Sequence, residues 1–300
     1  MRSHYVYVLP LSYSNSDTSC RDNCEFSSHI DLTQNKTSVQ HTFNTCKWLS
    51  CTADSGGGIF FQSSSSEATL TVTDSQFLSC KAIDTRGGGI HIIGSVTLTL
   101  KSTLFHSCTA VSNGDFGAGG VELDSLTSHP LISQCSFVSC ISGNDGGGLC
   151  FLSGTFSQDS LALEEDKFIS CQSQNSDNGG GGASEIWMNT QITGISNTLF
   201  VSCSSLCVGG ALAMSVNPRT YSSFINFCFF TSNTSPAGND ALIHFDNSIQ
   251  WRNVFSRSFT TTTENSLVQN YPDKTPLTFS ESNNWLPQTN SNRNSIAAGC

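Results

Sequence analysis

Residues 77–92 contain Phe77-Leu78-Ser79-Cys80, a polar loop, and then Gly87-Gly88-Gly89-Ile90-His91-Ile92. The motif aromatic-x-Ser-Cys occurs six times in the chain, and a seventh copy has asparagine in place of cysteine. The copies lie 28 to 32 residues apart and begin at Trp48, Phe77, Phe105, Phe137, Phe168, Phe200 and Phe230. A period of this length indicates a repeat protein.

Two further columns of residues keep the same register. A glycine run follows the aromatic motifs and begins at Gly56, Gly87, Gly119, Gly146, Gly179 and Gly209, with a degenerate copy at Gly238. An apolar residue stands five positions before each aromatic residue, at Phe43, Val72, Leu100, Ile132, Leu163, Ile195 and Ile225. Within a repeat, apolar and polar residues alternate, as from Val96 to Leu100, and such alternation is typical of strands with one inward face.

Each repeat therefore has a strand after the glycines, a second strand about ten residues later, and a short third strand at the aromatic motif. The sequence predicts an all-β fold, a right-handed parallel β-helix solenoid of about seven coils with three short strands per coil. The aromatic residues would form an inner stack, and the glycines would turn a corner where neighbouring coils crowd together. Leucine-rich repeats are the main structural rival, but their shorter period fits badly.

The cysteines follow the same columns. The chain has 14 cysteines, and the main column holds Cys51, Cys80, Cys108, Cys140, Cys171 and Cys203, completed by Asn233. A second column, two residues before the aromatic residue, holds Cys46, Cys135 and Cys228, whereas Cys20, Cys24, Cys207 and Cys300 lie outside both columns. Since a free cysteine behaves as a small buried hydrophobe, we predict a reduced interior ladder. Disulfides between coils and a zinc site are the alternatives, but stacked side chains suit neither geometry.

Composition restricts the partners of the chain. The formal net charge is -10 and only 12% of residues are charged. An acidic chain is unsuited to bind nucleic acid or anionic lipid by charge, so neither is expected as a partner. The sequence contains no run of about 18 apolar residues, so it does not suggest a membrane-spanning helix. The stretch from Tyr5 to Leu11 is a poor secretory signal because Pro10 interrupts it. We expect a monomer.

The repeats divide the chain into three parts. Residues 1–42 are expected to form an N-terminal cap or a degenerate coil, residues 43–255 the β-helix repeats, and residues 256–300 a polar tail that is loosely packed or flexible. Caps are expected because an open end of a solenoid exposes strand edges.

The combination of Gly-Gly-Ala/Val/Ile with Phe-x-x-Asn/Cys resembles the repeats of chlamydial polymorphic outer-membrane proteins. It is also similar to the large right-handed β-helix families of protists within the pectin-lyase-like superfamily. The resemblance extends from about Phe43 to Phe245, and it is specific for architecture rather than for function. It implies a location at the cell surface or outside the cell. Pectin-lyase-like enzymes would imply outward acidic residues, often with calcium and a basic residue.

One set of residues is a candidate catalytic site. Glu122 and Asp124 share an outward strand face, and a glycosidase needs two carboxylates at a set separation. His91 occupies the position of Glu122 one coil earlier, and Arg86 and Lys101 are the nearest basic residues in the sequence. The alternative is a solvated surface group without chemistry. Glu185 is either a buried carboxylate or, as we favour, a residue displaced by the fourth glycine that precedes it.

A second set could hold a cation. Acidic residues recur before the glycine runs at Asp54, Asp84, Asp115, Asp145 and Asp177, and Asp240 extends the row. Calcium is a hard cation that prefers oxygen ligands, so this acidic edge is a calcium candidate. The simpler interpretation is that these residues begin turns and need no metal, and we expect no cofactor.

The sequence therefore favours a non-enzymatic surface or secreted protein, adhesin-like, which binds a glycan or a host or cell-surface protein. A polysaccharide lyase or glycoside hydrolase is the first alternative, and a purely structural spacer is the second.

Overall fold

The structure, a computed structural model, describes residues 19–33, 39–84, 86–111, 117–126, 130–153, 161–175, 180–188, 194–216, 225–236, 239–245, 259–261, 267–271, 274–279 and 285–287. All regular elements in these ranges are β-strands, and the repeats pair in parallel from one coil to the next. The predicted all-β parallel solenoid is confirmed. The strands form three sheets of 17, nine and six strands, which we call sheets 1, 2 and 3.

Sheet 1 contains two stacks of strands. The strands that follow the glycine motif are β3 (Ile30–Asp31), β7 (Ile59–Thr73), β10 (Ile90–Lys101), β13 (Val121–Leu126), β17 (Leu149–Ser153), β21 (Ser184–Met188), β25 (Leu212–Val216), β28 (Ala241–Phe245) and β30 (Leu267–Tyr271). The second stack comprises β1 (Ser19–Asp22), β4 (Gln40–Asn44), the later halves of β7 and β10, β14 (Leu131–Ser133), β18 (Ala162–Glu164), β22 (Gly194–Ser196) and β26 (Ile225–Asn226). Two antiparallel strands, β31 (Lys274–Phe279) and β32 (Trp285–Pro287), follow β30.

Sheet 2 contains the aromatic motif. Its strands are β2 (Glu25–Phe26), β5 (Lys47–Leu49), β8 (Gln76–Leu78), β11 (Leu104–His106), β15 (Ser136–Val138), β19 (Lys167–Ile169), β23 (Leu199–Val201), β27 (Cys228–Thr231) and β29 (Phe259–Thr261). Sheet 3 contains two-residue strands, namely β6 (Thr52–Ala53), β9 (Lys81–Ala82), β12 (Thr109–Ala110), β16 (Ile141–Ser142), β20 (Gln172–Ser173) and β24 (Ser204–Ser205).

Two details differ from the sequence prediction. A full coil has four strand positions rather than three, because the two-residue strands of sheet 3 are too short to show a period in the sequence. The coil number also departs from the predicted seven, since sheet 2 and sheet 3 hold nine and six strands. Strands from both predicted end segments, such as β2 and β29, pair with the repeats. The domain boundaries remain a prediction.

The core is a stack of aromatic rings. From Trp48 to Phe230, successive rings lie with centroids 4.3 to 5.2 Å apart and planes within 12° of parallel. Each of these side chains is fully buried. Phe26 adds a ring below Trp48 at 4.9 Å. Burial of each ring, together with its stacking contacts, stabilises every junction between coils.

Two corners of the coil have left-handed backbone. The serine of the aromatic-x-Ser motif has φ between 51° and 56° in every repeat, at Ser50, Ser79, Ser107, Ser139, Ser170, Ser202 and Ser232. A second corner, between sheets 1 and 2, has φ between 48° and 58° at Thr45, Asp74, Ser102, Gln134, Glu165, Asn197 and Phe227. Residues with side chains rarely adopt this conformation, so the stacked sheets on both sides must impose it.

The predicted cysteine ladder is present, and its cysteines are free and buried. Each thiol of the main column donates to the main-chain carbonyl of an aromatic residue in the preceding coil, as from Cys171 Sγ to Phe137 O at 3.3 Å. Asn233 makes the same contact with its amide, since Nδ2 donates to Phe200 O at 3.2 Å. Its Oδ1 in addition accepts from the main-chain N of Cys203 at 2.9 Å. Cysteine and asparagine therefore donate to equivalent carbonyl groups at this position of the coil.

This equivalence predicts that Cys203→Asn leaves the free energy of unfolding within about 1 kcal/mol of wild type. The matched variant Cys203→Asp has the same size but cannot donate to Phe168 O when ionised, and we expect it to lose about 2 kcal/mol or more. Urea unfolding at pH 7 measures both variants. Equal losses in the Asn and Asp variants would mean that the donated hydrogen bond is irrelevant.

Candidate functional site

Four polar side chains stand in register on neighbouring strands of sheet 1. Parallel pairing of β10, β13, β17 and β21 aligns His91 with Glu122, Glu122 with Cys150, and Cys150 with Glu185. Neighbouring members are about 4.8 Å apart along the stack. The residues that flank them in each strand, such as Val121 and Leu123, belong to the core. This polar row (His91, Glu122, Cys150 and Glu185) therefore lies on the sheet face that points away from the core.

The polar row is nevertheless buried. Its members are between 0% and 4% exposed. Ser55 Oγ hydrogen-bonds to His91 Nδ1, and the main-chain N of Gly180 donates to Glu185 Oε2 at 2.9 Å. Ala118 packs with Cys150 and Leu152 in an apolar cluster separate from the core. The alternative interpretation, in which Glu122 and His91 are solvated surface residues, is therefore wrong.

Several polar atoms in this covered space have no hydrogen-bond partner among the described residues. They are both carboxyl oxygens of Glu122, Nε2 of His91 and Oδ2 of Asp145. Burying a polar group without a partner costs about 1–3 kcal/mol, and burying it as an ion costs more. The fold therefore retains these groups at the expense of stability.

The pKa values follow from this burial. Burial raises the pKa of the Glu122 carboxyl group well above its ordinary value, although the nearby positive charge of Arg86 opposes the shift. Burial, together with the proximity of Glu185, raises the pKa of Asp145 to about 10. Burial, with the charge of Arg86, lowers the pKa of His91 to about 3. Asp145 and His91 are consequently uncharged at pH 7, and burial shifts Glu122 toward its protonated form.

An ion pair lies at the rim of the covered space. Arg86 Nη1 is 2.9 Å from Asp124 Oδ2, and each side chain is about a quarter exposed, at 26% and 25%. Asp124 follows Glu122 by two residues on β13, as the sequence predicted, but it is engaged by Arg86. Lys101, the other basic residue considered, lies exposed at the far end of β10.

The register of Glu185 is settled by pairing. Ser184 aligns with Leu149 and Ile186 with Phe151, so the fourth glycine does displace the strand by one residue, as favoured. Glu185 therefore avoids the core and joins the polar row, where it is 4% exposed. Both interpretations of this residue hold in part, because the displaced position is itself covered.

The acidic edge is not uniform. Asp54 and Asp84 are exposed on neighbouring coils, where the main-chain N of Asp84 donates to Asp54 O at 3.3 Å. Asp145 is buried beside Glu185, and Asp240 accepts from Asn233 Nδ2 at 2.9 Å. Asp115 and Asp177 lie outside the described residues. Among the residues that are described, no group of three or more His, Cys, Asp or Glu side chains could hold a metal ion.

Sequence reasoning missed two buried residues with titratable side chains. Cys150 completes the polar row between the two glutamates and is fully buried. Asp166 is a buried acid at the second corner, where its Oδ1 accepts from the main-chain N of Cys135 at 2.7 Å. Burial raises the pKa of Asp166 to about 8. An available signal for Cys150 was its column, since Phe60 and Ala213 occupy the same outward position and are unusual on a solvated face.

Comparisons with protein-family models, curated proteins and solved structures find no match for this chain. Within the described ranges, no helix has the length and apolar character needed to cross a membrane.

Proposed function

We propose that this chain is a non-enzymatic, adhesin-like repeat protein of the cell surface or the extracellular space, which binds a glycan or a protein partner on its outer strand faces. The observation that carries this proposal is the closure of the polar row. Glu122 is 0% and His91 3% exposed, and Asp124 is paired with Arg86, so the best catalytic candidates are not presented to a substrate. The resemblance to polymorphic outer-membrane protein repeats supports the same proposal.

A polysaccharide lyase or glycoside hydrolase is the second candidate. One observation favours it: a carboxyl group with a raised pKa, Glu122, can act as a general acid at neutral pH. Asp124, two residues along the strand, is about 7 Å away, a separation found in inverting glycosidases. This function requires the segments that cover the polar row to open.

Incubation with a panel of polyuronides and neutral glycans, with and without calcium, separates the two functions. We expect retention on at least one glycan, no release of reducing ends, and the same retention by Glu122→Gln. Release of reducing ends that Glu122→Gln abolishes would overturn the non-enzymatic proposal and assign the acid. Because Glu122 is buried, retention of a binding protein on the glycan should not change with this substitution.

A further inference from the structure

One outer face of sheet 1 is built from residues of similar chemistry in a regular arrangement. Three strands, β4, β7 and β10, contribute nine outward positions that stand in register. Six of these are threonines, and the other three are Gln40, Asn44 and Lys101. The threonines are Thr42, Thr69, Thr71, Thr73, Thr97 and Thr99. We call this surface the threonine face.

The pairing makes the threonine face a two-dimensional array. Thr42, Thr71 and Thr99 align across three coils, and Thr69 aligns with Thr97. Neighbours are about 4.8 Å apart along the stack and about 6.7 Å apart along a strand. The residues between them, including Leu70 and Val72, are fully buried in the core, so the positions of the threonines are fixed from below.

The side chains of this face are available for binding. All six threonines are partly exposed. Thr73 Oγ1 donates to Asn44 Oδ1 at 3.0 Å, whereas the other five hydroxyl groups have no hydrogen-bond partner among the described residues. Threonine is stiff about χ1, so it loses little conformational entropy when a ligand is bound. Each position offers one hydroxyl group and one methyl group.

The chemistry of this face selects its partner. Protein interfaces rely on aromatic or arginine anchors in pockets, and none of the nine outward positions has such a residue. The face also has no cluster of positive charge for an acidic glycan, since Lys101 is its only charged position. A neutral polysaccharide has hydroxyl groups that alternate with C–H surfaces at a regular repeat, which complements an array of hydroxyl and methyl groups.

We infer that the threonine face binds a neutral, ordered polysaccharide. This inference rests on the proposed binding function and names its ligand class and surface. The face covers roughly 10 Å along the stack and 13 Å along the strands, which is room for a few sugar units. A single contact of this size is weak, so we expect binding to be measurable where sites are presented at high density, as at the surface of an insoluble polysaccharide.

Co-sedimentation of the full chain with insoluble cellulose, insoluble chitin and soluble polygalacturonate captured on beads tests this inference. We expect binding to cellulose or chitin, and a loss of at least about tenfold in bound fraction for Thr71→Lys, which places a charge at the centre of the face. Thr52→Lys is the matched control, because it makes the same change at an exposed position of sheet 3. Thr71→Val, which keeps shape and strand propensity, should lose about threefold or more and covers the case that the lysine variant fails to fold.

The outcomes separate this inference from the proposed function. If Thr71→Lys and Thr71→Val leave binding to cellulose or chitin unchanged, the threonine face is not the binding surface, whereas the proposed binding function stands. Retention on polygalacturonate alone would overturn the neutral ligand class while the proposed function stands. Binding to none of the glycans, on these matrices or on the wider panel, would overturn this inference together with the glycan-binding form of the proposed function, and would leave only a protein as the partner.

Discussion

Gly119→Ala should lower the free energy of unfolding by more than about 4 kcal/mol. A Cβ atom at this position would lie 2.4 Å from Gly147 O and 2.5 Å from the main-chain N of Ile141. Both are main-chain atoms of the next coil, so relief requires the coils to separate. The same position holds glycine in six coils, at Gly57, Gly88, Gly119, Gly147, Gly182 and Gly210, with contacts of 2.1 to 2.4 Å to the carbonyl oxygen of the following coil.

Gly117→Ala is the matched control, since it lies two residues earlier in the same segment. The nearest atom to its Cβ would be Ser142 Oγ at 3.6 Å, an ordinary contact. We expect a change within about 1 kcal/mol, because alanine also reduces the freedom of the unfolded chain. Guanidinium unfolding followed by circular dichroism measures both variants, and soluble yield reports a variant that does not fold. A Gly119→Ala protein as stable as Gly117→Ala would show that the coils are less tightly stacked than described.

The free energy of unfolding should fall as pH rises from 6.5 to 8, by about 1.4 kcal/mol per pH unit for each buried carboxyl group that stays protonated. Glu122 and Asp145 keep their protons in the folded chain, whereas the unfolded chain releases them near their ordinary values of 4.5 and 3.8. Each rise in pH therefore favours the unfolded chain until the folded pKa is reached, about 10 for Asp145. Asp166 adds to the effect up to about pH 8.

His91 acts in the opposite direction at lower pH. In the unfolded chain it binds a proton below its ordinary pKa of 6.5, but in the folded chain it stays neutral down to about 3. Between these values its contribution falls as pH falls, so it offsets one of the carboxyl groups. Above about pH 7.5 the histidine is almost entirely neutral in both states, so it contributes little to the slope there.

Glu122→Gln should stabilise the chain at pH 8 by about 2 kcal/mol and reduce the slope by one proton, since the amide cannot ionise. Glu67→Gln, the same change at an exposed position of β7, should alter neither quantity by more than about 0.5 kcal/mol. Urea titrations at four pH values between 6.5 and 8 measure the slope. Stability that rises across this range, or an unchanged slope in Glu122→Gln, would mean that Glu122 is ionised and solvated.

The parallel solenoid could be predicted because, in a stacked fold, register in the sequence is register in space. The sequence columns that contain Phe77 and Cys80 correspond directly to the ring stack and the thiol ladder of the structure. Sheet 3 was missed because a pair such as Lys81–Ala82 has no period to detect. The left-handed corner at Ser79 was missed because serine gives no sign of that conformation, which is imposed by the sheets around it.

The candidate site was predicted only as a set of residues. Alternation along β13 correctly places Glu122 on the face away from the core, but alternation reports only the direction of a side chain from its sheet. Glu122 lies near Arg86 and Asp145 of the neighbouring coils, and this proximity depends on tertiary packing. The ion pair between Arg86 and Asp124 joins residues 38 positions apart in the sequence and in different coils. No local sequence pattern could indicate this contact.

The hydrogen bonds between strands of the repeats run from coil to coil, and this direction has a mechanical consequence. A force applied along the stack loads each junction in series, so the terminal coil peels away while those behind it keep their contacts. Each released repeat of 28 to 32 residues adds about 10 nm of extended chain. A protein held at a surface by one end and by its ligand at the other would therefore lengthen in even steps under load, and so absorb a pull instead of breaking its attachment.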